Sequence, residues 1–179
     1  VTSETLIRPS RDGDIVAVRD IYAHAVAHGT ASFELTPPDV AEMAARRQKV
    51  LEAGGPYLVA EQDGVVIGYT YAGPYRPRPA YRFTVENSIY VAPDRAGQGI
   101  GRRLLDALVE ASTALGYRQM IAVIGDSANA ASITLHARAG FRMIGTFEAV
   151  GFKFGRWIDS VYMQRALGDG ASTTPPPGR

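Results

Sequence analysis

One glycine-rich stretch restricts this chain more than any other: Val91-Ala-Pro-Asp-Arg-Ala-Gly97-Gln-Gly99-Ile-Gly101-Arg-Arg-Leu-Leu. It follows a strand-like run that Pro93 ends, and it precedes Leu104, Leu105, Leu108 and Val109, which fall on one helix face. The local order is strand, tight turn, helix. Glycines let the backbone turn sharply and approach a ligand with no Cβ in the way. The helix beyond turns unpaired N–H groups and the positive end of its dipole toward the same spot, an arrangement that suits a pyrophosphate. Two familiar phosphate loops do not match. A P-loop needs Gly-Lys-Ser/Thr after its last glycine, and here Arg102 follows Gly101. A dinucleotide fingerprint needs Gly-x-Gly-x-x-Gly, and the spacing here is Gly-x-Gly-x-Gly. For the glycines alone, a plain turn is the competing reading. Arg102 and Arg103 stand where a cation opposes the helix dipole, which makes more sense with an anion bound nearby.

The rest of the chain is punctuated clearly enough to order its elements. Residues 5–8 read as a short strand stopped by Pro9, and residues 12–28 as a helix that Asp12 or Asp14 is placed to cap. Residues 38–53 read as a second helix closed by Gly54-Gly55. Residues 57–61 and 65–69 flank Asp63-Gly64 and predict a hairpin. A Pro- and Arg-rich loop, 73–79, leads to a strand over 81–91. After the glycine turn come a helix over 101–115, a strand over 120–124, a short helix over 129–139 and strands over 141–150 and 158–165. The order β-α-α-β-β-β-α-β-α-β-β predicts one α/β domain over residues 1–167, a mixed, mainly antiparallel sheet flanked by helices. Residues 168–179, rich in Gly, Ser, Thr and Pro, read as a disordered tail.

Composition excludes several function classes. Nineteen Lys+Arg stand against 18 Asp+Glu, so the basic excess that nucleic-acid binders use against phosphate is missing. The chain has no cysteine, hence no disulfide, no thiolate metal site and no cysteine nucleophile, in keeping with a reducing compartment. No apolar run approaches the roughly 20 residues of a membrane span, and Val1-Thr-Ser-Glu-Thr lacks the regions of a signal peptide. The expectation is a cytoplasmic protein with no membrane or nucleic-acid partner.

Within this order the glycine turn follows the fourth strand and precedes the third helix, and it resembles the acyl-CoA loop of the GNAT acetyltransferase superfamily, Gln/Arg-x-x-Gly-x-Gly/Ala. Gly99-Ile-Gly101 matches the end of that pattern. Its first position falls on Ala96, with the arginine one residue earlier at Arg95. Downstream, Asn129-Ala-Ala-Ser132-Ile-Thr-Leu-His136-Ala-Arg-Ala-Gly140-Phe141 resembles the second signature of the superfamily. The resemblance implies acetyl-CoA as co-substrate, with no metal. It implies contacts from Ile89, Tyr90, Val91, Gly97, Gln98, Gly99, Ile100, Gly101 and Arg102, and from Asn129 and Ser132 to the pantetheine arm. His136 stands where many members carry a tyrosine that protonates the leaving thiolate. Imidazole titrates near neutrality and suits that task; a surface or helix-capping histidine is the alternative.

From about Leu6 to Leu167 the chain also resembles the phosphinothricin N-acetyltransferase subfamily, whose relatives act on methionine sulfoximine and sulfone. The matching segments are Tyr71-Ala-Gly-Pro-Tyr75, Thr84-Val-Glu86-Asn-Ser-Ile-Tyr90-Val, Ala122-Val-Ile-Gly125 and Gly151-Phe-Lys-Phe-Gly-Arg-Trp157-Ile-Asp159. This resemblance implies direct acetyl transfer, in a ternary complex, to the α-amino group of a small glutamate- or methionine-like substrate. It also implies Glu86 as general base, a strand N–H near Asn87 for the oxyanion, and a homodimer. The residues agree, because an ammonium must lose a proton before it attacks and a mid-strand carboxylate can take it; pairing of Glu86 with Arg82 or Arg76 is the structural alternative. For the substrate's anionic groups the candidates are Arg76 and Arg78, with Lys153 as a further charge. Phe33, Tyr75 and Trp157 are candidates to wall its methyl-bearing end. Two other functions fit less well: a peptide or protein N-acetyltransferase, and a non-catalytic acyl-CoA sensor.

Overall fold

Period-two strands and period-3.6 helices assemble around one seven-stranded sheet in the computed structural model, which describes residues 4–175. The elements are β1 (Leu6–Pro9), α1 (Ile15–His28), α2 (Val40–Glu52), β2 (Tyr57–Gln62), β3 (Val65–Pro74), β4 (Thr84–Val91), α3 (Ile100–Ala114), β5 (Gln119–Gly125), α4 (Ala130–Arg138), β6 (Arg142–Lys153) and β7 (Arg156–Ala166). Their order is the expected one. The strands lie side by side as β1-β2-β3-β4-β5-β7-β6, antiparallel throughout except for the parallel pair β4–β5.

Apolar stripes decide which helix covers which face. Val18, Ile21 and Val26 of α1 and Met43 of α2 pack on Tyr57, Val59 and Tyr69. On the opposite face Ile100 and Leu104 of α3 meet Ala60 and Ile67, and Leu105 and Leu108 join Met120, Phe141 and Met163. Burying each such leucine contributes about 1.5–3 kcal/mol.

Local differences from the expected boundaries have physical causes. Asp14 does not cap α1 with its side chain. Its carboxylate accepts from the Arg11 N–H and from the Arg8 guanidinium at 2.7 Å. Asp39, whose carboxylate accepts from the Glu42 N–H at 2.8 Å, starts α2. β4 begins at Thr84 because Pro79–Tyr81 forms a 3-10 turn. Residues 168–171 form turns, and Arg118 donates to the Gly170 carbonyl and to Thr173 and faces Asp169 at 3.6 Å. The rest of the expected tail lies outside the described residues. No helix among those described is long and apolar enough to cross a membrane.

Candidate active site

The site forms where the two parallel strands come apart. Their register runs from Thr84 opposite Gln119 to Asn87 opposite Ala122 and stops there, although β4 continues to Val91 and β5 to Gly125. Beyond that point each strand keeps its other neighbour: Ile89 lies opposite Thr70 of β3, and Val123 opposite Tyr162 of β7. A wedge therefore opens between them, with a cavity of about 240 Å³.

Hydrogen-bond alternation says which backbone groups face the wedge. The Thr84 carbonyl accepts from the Tyr75 N–H, the Ser88 carbonyl accepts from the Thr70 hydroxyl, and the Ala92 N–H donates to Ile67. Even-numbered residues of β4 thus bond toward β3. The Phe83 carbonyl, on the other set, accepts from the Arg118 and Gln119 N–H groups on the β5 side. Asn87 takes the last rung with β5, so the N–H and C=O groups of Ile89 and Val91 are left facing the opening.

Glu86, Ser88 and Tyr90 bring side chains from β4 to this cavity. Glu86 makes no side-chain hydrogen bond or ion pair among the described residues, which sets aside the alternative of pairing with Arg82 or Arg76. Burial raises its carboxyl above the usual carboxylate range, and the charge of Arg76 partly opposes that rise. A half-buried, unpaired carboxyl with a raised pKa is equipped to take a proton near neutral pH.

α4 brings Asn129, Ser132 and His136 to the opposite wall. Asn129 caps the helix, its side-chain oxygen accepting from the Ser132 N–H at 3.2 Å. His136 is only 2% exposed. Its Nδ1 lies 2.8 Å from the Ser132 carbonyl, an acceptor, so Nδ1 carries the ring's proton. Nε2, 3.0 Å from the Asn87 amide nitrogen, is then the acceptor. Burial lowers the imidazole's pKa, and the Ser132 carbonyl only partly offsets it. The ring is held at both nitrogens, Nδ1 by the Ser132 carbonyl and Nε2 by the Asn87 amide, and in this tautomer it turns no proton toward the cavity. Sequence reveals the histidine but not its second partner, Asn87, which lies 49 residues away.

At the rim of the wedge, Gly97 and Gly99 adopt φ of 76° and 78°, which side chains with a Cβ resist. Gly99 caps α3 with no side-chain bond, leaving the first helical N–H groups open. Gly101 and Val91 pack beside each other at this point, with Gln98 on the turn. Ile100 offers the turn its backbone alone, since its side chain is core. Arg102 and Arg103 are engaged elsewhere. Arg102 donates to Asp106 at 2.7 Å and to the Arg138 carbonyl, and Arg103 reaches the Thr5 carbonyl. At the turn itself the groups left open are the backbone N–H groups that begin α3.

Of the six residues expected to bind the substrate, only Phe33 lines the cavity. Lys153 is buried with its ammonium on the Ser32 carbonyl at 2.8 Å. Trp157, 64% exposed, packs on Phe152 at the sheet edge. Arg78 faces solvent, while Arg76 lies over the Tyr75 ring and is close enough for its charge to reach Glu86. Sequence reasoning missed Ala31, Ser160 and the end of β5, Val123 to Gly125, as wall residues. The segment at Ala122–Gly125 stood out by resemblance, but nothing local marked Ala31 or Ser160.

Known proteins share this architecture. Residues 18–141 match the model of the acetyltransferase (GNAT) family. The phosphinothricin N-acetyltransferase of Alcaligenes faecalis is 57% identical over 169 residues, spanning 94% of this chain and 86% of its own. An L-methionine sulfoximine/L-methionine sulfone acetyltransferase of Pseudomonas aeruginosa is 43% identical over 162 residues, 90% of this chain and 94% of its own. A crystal structure of a GNAT-superfamily phosphinothricin acetyltransferase from Sinorhizobium meliloti, in complex with acetyl-CoA, superposes with a TM-score of 0.95. It is 48% identical and covers 97% of this chain and 94% of that one.

Proposed function

The chain belongs to the GNAT acetyltransferase family, and from that premise we propose that it acetylates the α-amino group of phosphinothricin, methionine sulfoximine, methionine sulfone or a close analogue. It is an acetyl-CoA-dependent N-acetyltransferase. The observation that carries the acceptor reading is Glu86, an unpaired carboxyl of raised pKa in the wedge between β4 and β5.

The fit to acetyl-CoA rests on two features of this chain. The open N–H groups at the start of α3 suit a pyrophosphate. The unpaired backbone of Ile89 and Val91 suits the amides of an extended arm, as one more strand would. Acetyl-CoA supplies a thioester carbonyl for attack. Glu86 then takes one proton from the acceptor's ammonium, directly or through water, and so frees the lone pair. The N–H of Ile89, first past the last rung, is the donor for the oxyanion that attack creates. A second proton leaves the same nitrogen as the C–S bond breaks and goes to the departing thiolate, with no step at His136. Arg76, near enough to be felt at Glu86, meets the acceptor's carboxylate at the mouth.

A second copy of the chain is the partner for β6. This edge strand exposes Met143, Ile144, Phe147, Val150 and Phe152, and Trp157 extends the patch. Such an apolar edge invites pairing and is ordinarily covered. A homodimer by sedimentation equilibrium, made monomeric by Phe147→Glu, is the expected result. A chain with no cysteine and a CoA thioester as co-substrate points to the cytoplasm as its setting.

The test follows free CoA with a thiol reagent while acetyl-CoA is offered with L-phosphinothricin, L-methionine sulfoximine, L-methionine sulfone and a peptide amine. Turnover with the amino acids is expected. Turnover with the peptide alone contradicts the proposal.

A further inference from the structure

The loop between α1 and α2, residues 29–39, has no helix or strand of its own, yet it gives Ala31 and Phe33 to the cavity wall. Tyr22 of α1 holds its Ser32 hydroxyl and Glu34, Arg46 of α2 pairs with Glu34, and further ties come from β6 and β7. Lys153 at the end of β6 donates from Nζ to the Ser32 carbonyl at 2.8 Å. Arg156 at the start of β7 donates to Oδ2 of Asp126, and the same oxygen accepts from the Thr30 hydroxyl at 3.0 Å. Between these two ties the loop rests on glycine. A Cβ at Gly151 would come within 2.5 Å of the Phe33 ring, and one at Gly125 within 2.1 Å of the Thr30 carbonyl. Asp159 completes the hairpin by accepting from Ser127 and from the Ala149 N–H. The stretch from Gly151 to Asp159, with Gly125 and Asp126, thus meets the loop at several points, and of that contact set Phe33 and Gly125 line the cavity.

Energetics favour a positional role for the lysine. Burying an ammonium with one carbonyl as its hydrogen-bond partner and the Phe154 ring beside it costs free energy that an apolar side chain of the same length would not. The tie acts on one side of the wedge. Among the described residues Lys153 makes no hydrogen bond to the glycine turn or to α3.

We propose that Lys153, supported by Arg156, is a positioning residue for the acceptor: through Ser32 it clamps residues 30–33 so that Phe33 and Ala31 hold the acceptor's side chain against Glu86. The inference rests on the amino-acid acetyltransferase reading above. It assigns Lys153 an effect on one substrate only and no contact with that substrate.

The experiment compares wild type, Lys153→Met and Lys153→Arg with both substrates varied, using L-methionine sulfoximine as acceptor. A second measurement follows chymotrypsin cleavage after Phe33 and Leu35, which are 40% and 73% exposed. In Lys153→Met the acceptor KM rises by about tenfold, within the range for a changed pocket contact. The acetyl-CoA KM and kcat stay within about twofold, the pattern of lost uniform binding. Cleavage in the loop accelerates, and Lys153→Arg restores most of both. A common rise in both KM values, or an unchanged acceptor KM with unchanged cleavage, overturns the proposal. Arg156→Gln, read the same way, replaces Lys153→Met if that variant does not fold. Should wild type acetylate no amino acid, the acceptor reading fails, and the cleavage rates alone decide whether the clamp exists.

Discussion

Replacing His136 by phenylalanine separates a proton donor from a positioning group. Phenylalanine keeps the ring volume and the edge-to-face contact with Phe141, now 5.1 Å between centroids, and removes both nitrogens. Asn87, 6% exposed, then loses the acceptor for its amide N–H. The Ser132 carbonyl keeps its place in the helix ladder. One buried donor left unpaired costs about 1–3 kcal/mol, or a fall in Tm of about 2–4 °C per kcal/mol for a chain of this size. The wild-type imidazole, its pKa lowered by burial, also makes stability depend on pH. That contribution is complete above the unfolded value and is lost as pH falls through the folded one. Thermal melts at several pH values therefore show a lower Tm for His136→Phe and a flatter acid response. In steady-state assays kcat falls by about tenfold at most, and the shape of the pH–rate profile is kept. A fall of about 10²–10⁴ in kcat, the scale of a lost general acid, with the basic limb abolished and Tm unchanged, would refute the positioning role.

Other consequences are equally open to measurement. Arg76→Gln removes the charge that opposes the rise at Glu86, so the acid limb of kcat/KM moves to higher pH. Glu86→Gln is more heat-stable than wild type above the raised carboxyl pKa, because an unpaired buried charge is gone, and the advantage vanishes at low pH. Asp14→Asn costs about 1.5–3 kcal/mol in denaturant titrations by weakening the tie to Arg8. It also removes a stabilisation that wild type loses as pH falls through the depressed Asp14 value. Gly99→Ala, at φ 78°, is destabilised by about 1–2 kcal/mol and binds CoA more weakly by calorimetry.

The fold was legible because its elements are locally consistent: Leu104, Leu105 and Leu108 mark one face of α3, and Asp63-Gly64 marks the β2–β3 turn. Boundaries slipped where local signals conflicted, as at Tyr81, whose strand-like neighbours hide a 3-10 turn nucleated by Pro79. In the site, residue types were readable and directions were not. Glu86 stood out as a carboxyl in mid-strand. Lys153 stood out as a charge in a signature, but its carbonyl partner lies 121 residues away, and no local pattern aims a side chain across that distance. Arg102 reads as an anion ligand because its helix begins at a glycine turn, and only the structure shows its guanidinium meeting Asp106, four residues on. The wedge itself is a property of strand pairing, visible only once the β4–β5 ladder is seen to stop at Asn87.

Glu86 as the base that frees the acceptor's amine is the central claim, and its most direct test is kcat/KM for L-methionine sulfoximine in wild type and Glu86→Gln across pH 6.5 to 9.5. At neutral pH the variant is slower by about 10²–10⁴. The gap closes as pH approaches the pKa of the acceptor's own amine, because solvent then does the work of the missing carboxylate. A deficit of constant size at every pH, or wild-type activity in the variant at pH 7, would contradict the account.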